Sequence, residues 1–567
     1  MRHYDKHHYN KYLLFLIGFC IFSLAIITYS QETEKTNENE TIDLPPVKIE
    51  IVDATQLVIP KEKFDGLTRA DVDLYLTLNQ KERLWYIPSV SSPERIQQKT
   101  VSPENDFIFM LSAYPGLPAS LAYQMLLVKS FGNSQALLDL GRSSLLSERA
   151  GKLDKQKKMN GLTTDKLNGL LAFQTEKTNF RTSLNYKAKD LNYLGISGVK
   201  YPNDRSLFSV SAGWNQKYIS DIESSLNTEI SRIGLEGPLV SDSNSAVDIK
   251  TDFSLRTFLS PSTPIDTGLN FEHFTGNSED ENFNETIIKL YIRDNRIKIY
   301  PFILGAGLEL AVDTRKSSIS SKGRETSLYP NPYALLTSQI GSSLILQFGL
   351  ERYILKQSLN DVYMEGDYTR FNPSLSSERA WDIHASLKYN FMKKLNAKLT
   401  VFDKDISGLM ILRESKGLIG TDGSEIVAWT PETIKNTHIT GINAGWELLL
   451  FQDRLMQRVD YVHEIQNEDE LILYRPKDKG IFSVEYSTPY ELNLSLSAEF
   501  YGTRYVNKAG KKLSSYMLWK PRISKSFNKN AEASLVFGFY VGKDDYQIWD
   551  GYKLPKTTVD LGVTARF

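Results

Sequence analysis

Four histidines, His273, His384, His438 and His463, follow the first 30 residues, and they are the natural starting points for acid–base chemistry. A hydrolase would need one of them beside a Ser, Asp or Asn at a common rim. His384 lies in an alternating run with Asp382 and Lys388, which reads as a polar strand face rather than a general base. His273 falls on the apolar side of its run. No two of the four have metal-ligand spacing. Asp403-Lys404-Asp405 and Asp242-Ser243-Asn244 offer oxygens of the kind calcium takes, but acidic turns are usually just solvated. There is no phosphate loop and no dinucleotide fingerprint. The single cysteine, Cys20, lies in the first 30 residues, so the rest of the chain has no thiolate site or disulfide. The expectation is a non-enzyme without cofactor or metal.

Charge points the same way. Lys and Arg number 67 and Asp and Glu 68, a net charge of −1, which gives no electrostatic case for nucleic acid. What stands out is charge inside apolar runs: Asp248, Lys250, Asp252 and Arg256 in one, and Glu485, Glu499, Asp560 and Arg566 in others. Facing lipid at mid-membrane, a basic residue would cost about 2–4 kcal/mol and an acidic one less. Together with His384 they are expected to face an aqueous lumen.

The elements that position them are strands. Val559, Leu561, Val563, Ala565 and Phe567 alternate with Thr558, Asp560, Gly562, Thr564 and Arg566, and a strand puts the two sets on opposite faces. Ile383, Ala385, Leu387, Tyr389 and Phe391 alternate with polar residues in the same way, as do Leu492, Leu494, Leu496, Ala498 and Phe500. Soluble strands average about five or six residues. These runs reach about ten, enough to cross a bilayer obliquely. Connections alternate too. Thr178-Asn179, Asn295-Arg296, Met392-Lys393-Lys394 and Asn528-Lys529-Asn530 read as tight turns; Asp221–Asn227, Asn277–Asn284, Ser358–Ser377 and Lys416–Ser424 read as longer loops. About 22 strands, in a range of 16–22, fit between Asp106 and Phe567. The fold class is therefore all-β, a transmembrane antiparallel β-barrel with a short N-terminal periplasmic segment.

Residues 1–30 read as a signal peptide. A basic start at Arg2, Lys6 and Lys11 precedes the apolar core Leu13–Ile27, and small residues follow. Residues 31–105 read as an acidic leash and a short periplasmic or lumen-tucked segment, and 106–567 as the barrel. The last strand ends on an aromatic carboxyl terminus, resembling the closing-strand signal that the outer-membrane assembly machinery recognises.

From Pro330 onward the chain resembles the barrel of TonB-dependent outer-membrane receptors. Ser358-Leu359-Asn360-Asp361-Val362-Tyr363, then Asn372-Pro373-Ser374-Leu375 before Glu378, is similar to that family's loop-to-strand signature. Asn436–Glu447, with Gly441 at its centre, is similar to a later strand, and Trp549-Asp550-Gly551-Tyr552 to the last outer loop. The resemblance implies a barrel of about 22 strands that passes or binds a solute across the outer membrane of a diderm bacterium, with lipid, the assembly machinery and TonB as partners. Val47–Val52 could pair with TonB as an added strand. The family's plug has no counterpart of its usual size here, so a reduced or absent plug is expected, with tucked loops or cross-lumen ion pairs filling the space. A non-transporting surface barrel that binds a ligand, or a passive pore, is the alternative.

Overall fold

The computed structural model describes the chain from Phe107 to Arg566, apart from connecting residues at 118–119, 132–133, 146–161, 176, 195–199, 220–221, 237–243, 261–262, 279–280, 300–301, 319–323, 342, 365–368, 373, 392–393, 416–427, 452–453, 467–471, 507–509, 529, 543–546, 550–551 and 554–556. The chain divides into two compact units, Met1–Gln56 and Leu57–Phe567, and every described residue belongs to the second. The signal peptide, the leash, the Val47–Val52 stretch and Phe567 lie outside the described residues.

Twenty-two strands form one antiparallel sheet. They run from 10 residues (Leu492–Tyr501) to 20 (Lys200–Ile219). The sheet closes on itself. Phe107–Leu117 pairs with Thr557–Arg566, with Leu111 opposite Ala565 and Ala113 opposite Val563, and Thr557–Arg566 pairs on its other side with Ala531–Gly542. Closure removes the unpaired edges that lipid cannot satisfy.

Alternation sorts the faces. On Asn282–Ile299, Ile288, Leu290 and Ile292 are exposed, while Phe283, Glu285, Ile287 and Lys289 are buried. Leu561 and Val563 are exposed, whereas Thr564 is buried and shares a hydrogen bond of 3.0 Å with Ser112. An exposed apolar belt outside and a polar interior is the pattern a lipid solvent selects. The belt has an upper limit. Ile288 pairs with Val312, but the next outward pairs are Thr286–Thr314 and Asn284–Lys316.

Ten connections on one rim have two to four residues, and the chain enters and leaves the barrel at that rim. The opposite rim carries the long connections, 356–377 and 408–436 among them. The expected asymmetry is therefore present, though particular boundaries move. Asn295-Arg296 is not a turn; it lies inside Asn282–Ile299, where the register shifts between Asp294 and Ile297. Asp221–Asn227 is mostly strand (Ile222–Glu236), and the longer connection there is 237–243. Phe107–Leu117 and Ser120–Phe131, ambiguous in sequence, are both barrel strands.

Candidate functional site: a loop-filled mouth above a polar lumen

The described residues of three connections of the long-loop rim, 356–377, 408–436 and 467–477, pack on one another inside the barrel. The first, residues 356–377, contains a π-helical turn at Asn360–Met364. Leu359, Val362, Tyr363, Met364 and Leu375 are all buried. Tyr363 Oη donates to the Asn372 carbonyl (2.8 Å), and Asn372 Oδ1 accepts from the Ser374 amide (3.0 Å). These bonds give the Asn372–Leu375 motif its local shape, an Asx turn. Burial pushes the Tyr363 phenol well above its ordinary value, so it remains a donor.

The second connection forms a hairpin, Leu409–Ser415 with Ala428–Ile434. Gly408 starts it with φ of 82°, and a Cβ there would lie 2.9 Å from the Ser377 carbonyl oxygen, so glycine alone suits this corner. Leu409, Met410, Ile411, Leu412 and Trp429 are buried. Asn372 Nδ2 donates to the Pro431 carbonyl (2.7 Å), and Thr369 bridges Trp429. From the third connection, Tyr474 accepts from Trp429 Nε1 (2.8 Å) with its ring edge-on at 5.7 Å. Arg475 beside it makes a two-pronged pair with Glu464 (2.6 and 2.7 Å).

These side chains join inward residues from opposite walls, including Ile233, Phe274, Phe402 and Tyr516, in one apolar cluster. The result is a septum across the mouth, built from the chain's own loops. Of the two fillings expected, tucked loops or cross-lumen ion pairs, the described residues at the mouth show loops packed inward.

Two cations of the wall, and one at the start of the first connection, hold the packed loops. Arg205 donates to the carbonyls of Tyr363 (2.5 Å) and Thr369 (2.8 Å), and Lys189 to that of Met364 (2.8 Å). Lys356 meets Glu285 (2.5 Å) and the Leu375 carbonyl (2.7 Å), with the Phe274 ring 4.2 Å from its Nζ. Glu285 also meets Arg315 (2.9 Å), and Arg315 meets Asp313 (2.6 Å).

One part of the wall departs from a simple cylinder. Pairing between Arg324–Ile340 and Leu344–Leu355 stops at Tyr333 opposite Glu351, yet Leu344–Leu355 goes on pairing with Glu378–Phe391 up to Leu355 opposite Glu378. Past that point Ile354 packs on Ile287 and Ala311, inside the neighbouring wall. Lys289 donates to the Ile354 carbonyl (3.0 Å), and Arg379 meets Asp313 (3.1 Å) with the Tyr329 ring 4.2 Å away. The upper rim thus overlaps itself, and side chains instead of a ladder close the seam. Pro330 and Pro332, which lack a donor, sit where the ladder ends.

Below the septum two cavities follow one another along Asn244–Ser260. One, of about 710 Å³, lies near the short-turn rim and is lined by Lys217, Glu223, Arg256 and Asp266, among others. The other, of about 600 Å³, reaches the underside of Leu355–Asn360 and is lined by Lys166, Lys187, Asp248 and Lys250.

The charged residues singled out in the sequence do not gather into one site. Asp248 pairs with Lys250 (3.3 Å), and Asp252 lines the lower cavity. Arg256 meets Asp266 (2.7 Å), and Glu499 meets Lys520 (2.9 Å). His384 lies 3.3 Å from Asp382, which Lys404 also reaches (2.7 Å). Asp560 stands opposite Gly116, and Glu485 opposite Ser495. Of the closing set, Val559, Leu561, Val563 and Ala565 share the outer face, while the Arg566 side chain is outside what is described. His273 takes the upper edge of the belt, bonded to Thr286 (2.9 Å). Among the described residues no group of three or more His, Cys, Asp or Glu is arranged to hold a metal. Sequence reading missed Lys189, Arg205, Glu285 and Lys356. The signal available was the loop motif itself, whose buried apolar residues need carbonyl partners from somewhere.

The described residues thus form a closed antiparallel barrel of 22 strands with loops packed inward at one rim. Among solved structures the chain is similar to the FrpB iron transporter of Neisseria meningitidis, with a TM-score of 0.63 and 11% identity over 82% of this chain and 83% of that one. It is similar to the ferric-catecholate import receptor Fiu of E. coli, with a TM-score of 0.61 and 11% identity over 82% of each chain. The siderophore receptor PiuA of Acinetobacter baumannii gives 0.61 and 12% identity, again over 82% of each chain. No family model matches the chain, and no curated protein matches it. At such identities the likeness is one of fold.

Proposed function

We propose that this chain is an outer-membrane barrel that takes a solute through a polar lumen, with residues 356–377 and 408–436 as its lid. The observation that carries the reading is the apolar septum. It joins loop residues to inward residues of opposite walls, while the two cavities beneath it lie along one wall. The neighbours bear the names of an iron transporter, a ferric-catecholate import receptor and a siderophore receptor, which supports import over catalysis. On this reading residues 1–30 are removed on export, the belt meets outer-membrane lipid, and the assembly machinery reads the closing strand. TonB is the partner that the resemblance in the loop and strand motifs implies. The polar residues of the interior, from Asp248 to Glu499, keep the path wet.

Planar-bilayer recording tests the lid. The purified full chain should be electrically silent. A variant with residues 359–374 replaced by a short Gly-Ser linker should show discrete conductance steps. Silence in both would remove the transport reading and leave a barrel that binds at the surface without passing its ligand.

A further inference from the structure

The lower cavity has a flat aromatic floor. Gly268 faces Tyr291 on the neighbouring strand. A Cβ at 268 would stand 2.4 Å from Tyr291 Cζ and 2.5 Å from the Phe253 carbonyl oxygen, so glycine alone suits the position and the phenol ring lies across it. The Tyr291 hydroxyl reaches Ser254, on the strand beyond. Arg293 leans the other way, over Gly307, where a Cβ would meet its Cγ at 2.6 Å. Its guanidinium, 5.3 Å from the ring centroids of both Tyr291 and Tyr333, pairs with Glu309 at 3.6 Å. Tyr291 thus turns one ring face to the strand and the other to the cavity that it lines.

Around that ring the charges cancel. The lining holds four cations, Lys177, Lys217, Arg256 and Arg293, and four carboxylates, Glu223, Asp252, Asp266 and Glu309. Arg256 meets Asp266 (2.7 Å) and Glu223 (3.8 Å), and Lys217 meets Glu223 (3.8 Å). A ligand of large net charge, of either sign, meets no complementary field here. What is left over is hydrogen-bonding capacity of both kinds. Asp252 Oδ1 and Asn270 Oδ1 are buried acceptors without a partner among the described residues, and Arg293 Nε is a buried donor without one. Asp252 and Asn270 face each other in the register, and Asn270 stands opposite Lys289, two residues before Tyr291; Arg293 comes two residues after it. Lys289 itself is held by Glu272 (3.1 Å) and the Ile354 carbonyl (3.0 Å). A hydroxyl group both donates and accepts, and a sugar ring adds an apolar C–H face that packs on an aromatic one. We infer that this cavity is a binding site for a short neutral saccharide. Tyr291 is the platform under one ring, Asp252 and Asn270 accept from hydroxyls at one edge, and Arg293 donates at the other. The volume of about 710 Å³ lies within the roughly 300–1,000 Å³ of small-molecule sites. The inference rests on the reading of the lumen as a solute path, and it names the class of solute.

The test uses the full chain in an amine-oxide detergent, which carries no sugar. Maltotriose is the probe, and citrate and spermidine are the charged controls. Equilibrium dialysis should show maltotriose bound and neither control bound. Tyr291→Leu, which keeps bulk but loses the aromatic face, and Asp252→Ala should each weaken maltotriose about tenfold. Tyr291→Phe, which keeps the platform, should bind nearly as the parent does. Heat-modifiable gel migration equal to the parent's shows that each variant still closes its barrel. Saturation-transfer NMR on the parent alone should mark the sugar's ring protons, a readout that needs no variant to fold. Maltotriose that fails to bind, or that binds equally in the parent, Tyr291→Leu and Asp252→Ala, overturns the site. Spermidine bound in its place through Asp252 overturns it as well. If the lid-shortened barrel conducts while maltotriose fails to bind, the solute path stands and the saccharide site falls. Tyr291-dependent binding in a barrel that never conducts keeps the site and removes transport.

Discussion

Lys356 and Glu285 form a buried ion pair, 2.5 Å from Nζ to Oε2, between the first residue of the lid connection and a strand 71 residues earlier in the chain. Glu285 is 1% exposed and Lys356 6%. Such a pair gains little over well-packed apolar residues, and removing Lys356 leaves Glu285 buried with Arg315, at 2.9 Å, as its remaining cation, so the loss falls below the roughly 3–5 kcal/mol of a charge left unpaired. Lys356→Met also removes the bond to the Leu375 carbonyl, so it should destabilise moderately and expose residues 356–377 to protease. Adding Glu285→Gln should recover only part of the loss, because Arg315 then keeps Asp313 alone as its carboxylate partner. Urea titration with limited proteolysis measures both, and an unaltered Lys356→Met protein would contradict the pairing.

Arg205 makes a separable contribution. It is 2% exposed and satisfies the carbonyls of Tyr363 and Thr369. Each buried acceptor left unsatisfied costs about 1–3 kcal/mol. Arg205→Ala should loosen the lid while the strands keep their pairing. Hydrogen exchange should rise within 356–377 and remain low in Glu378–Phe391. Exchange rising equally in both would mean that Arg205 supports the barrel rather than the lid.

Much of the barrel was readable because lipid imposes a simple rule on a strand. Thr557–Arg566, Glu378–Phe391 and Leu492–Tyr501 each keep apolar residues on one parity, and nothing in their tertiary context overrides that parity. The rule fails where a strand leaves the belt. Ile222–Glu236 begins with Ser224, Ser225 and Asn227, polar on both faces, so its first turns read as loop. Nor does periodicity describe the lid. Leu359, Val362, Tyr363 and Met364 are buried against strands that they neither pair with nor adjoin in sequence. The Arg205–Tyr363 bond spans 158 positions, and no local pattern announces it. The candidate residues were inferred to face inward from their cost in lipid, which says nothing about which of them meet.

Tyr363 gives the lid a dependence on alkaline pH. Its phenol is raised in the fold by burial, partly offset by its bond to Asn372 and the Arg205 charge. A raised folded value means that the neutral phenol is the favoured form inside. Its stabilisation is complete below the unfolded value of 10.0 and is lost as pH climbs above it. Lid protection should therefore fall above about pH 10 more steeply in the parent than in Tyr363→Phe. Proteolysis of the 356–377 segment across pH 8–11 is the measurement, and parallel curves would refute the assignment.

Gly349 and His384 occupy facing positions on neighbouring strands, and the imidazole lies over the glycine: a Cβ at 349 would stand 2.3 Å from His384 Cε1. Any side chain at 349 must displace that ring from its contact with Asp382, at 3.3 Å from Nδ1. The imidazole is the far end of a side chain that is 23% exposed, so moving it costs chiefly its contact with Asp382. Gly349→Ala should lower the urea midpoint accordingly. His384→Ala alone should cost less, since Lys404 remains beside Asp382 at 2.7 Å. In Gly349→Ala/His384→Ala the clash has no second partner, so the double variant should be more stable than Gly349→Ala alone. That sign, a favourable coupling between two individually harmful changes, separates the packing role of His384 from a catalytic one. A double variant less stable than Gly349→Ala would show that the imidazole supports the fold through Asp382 more than through the glycine beneath it.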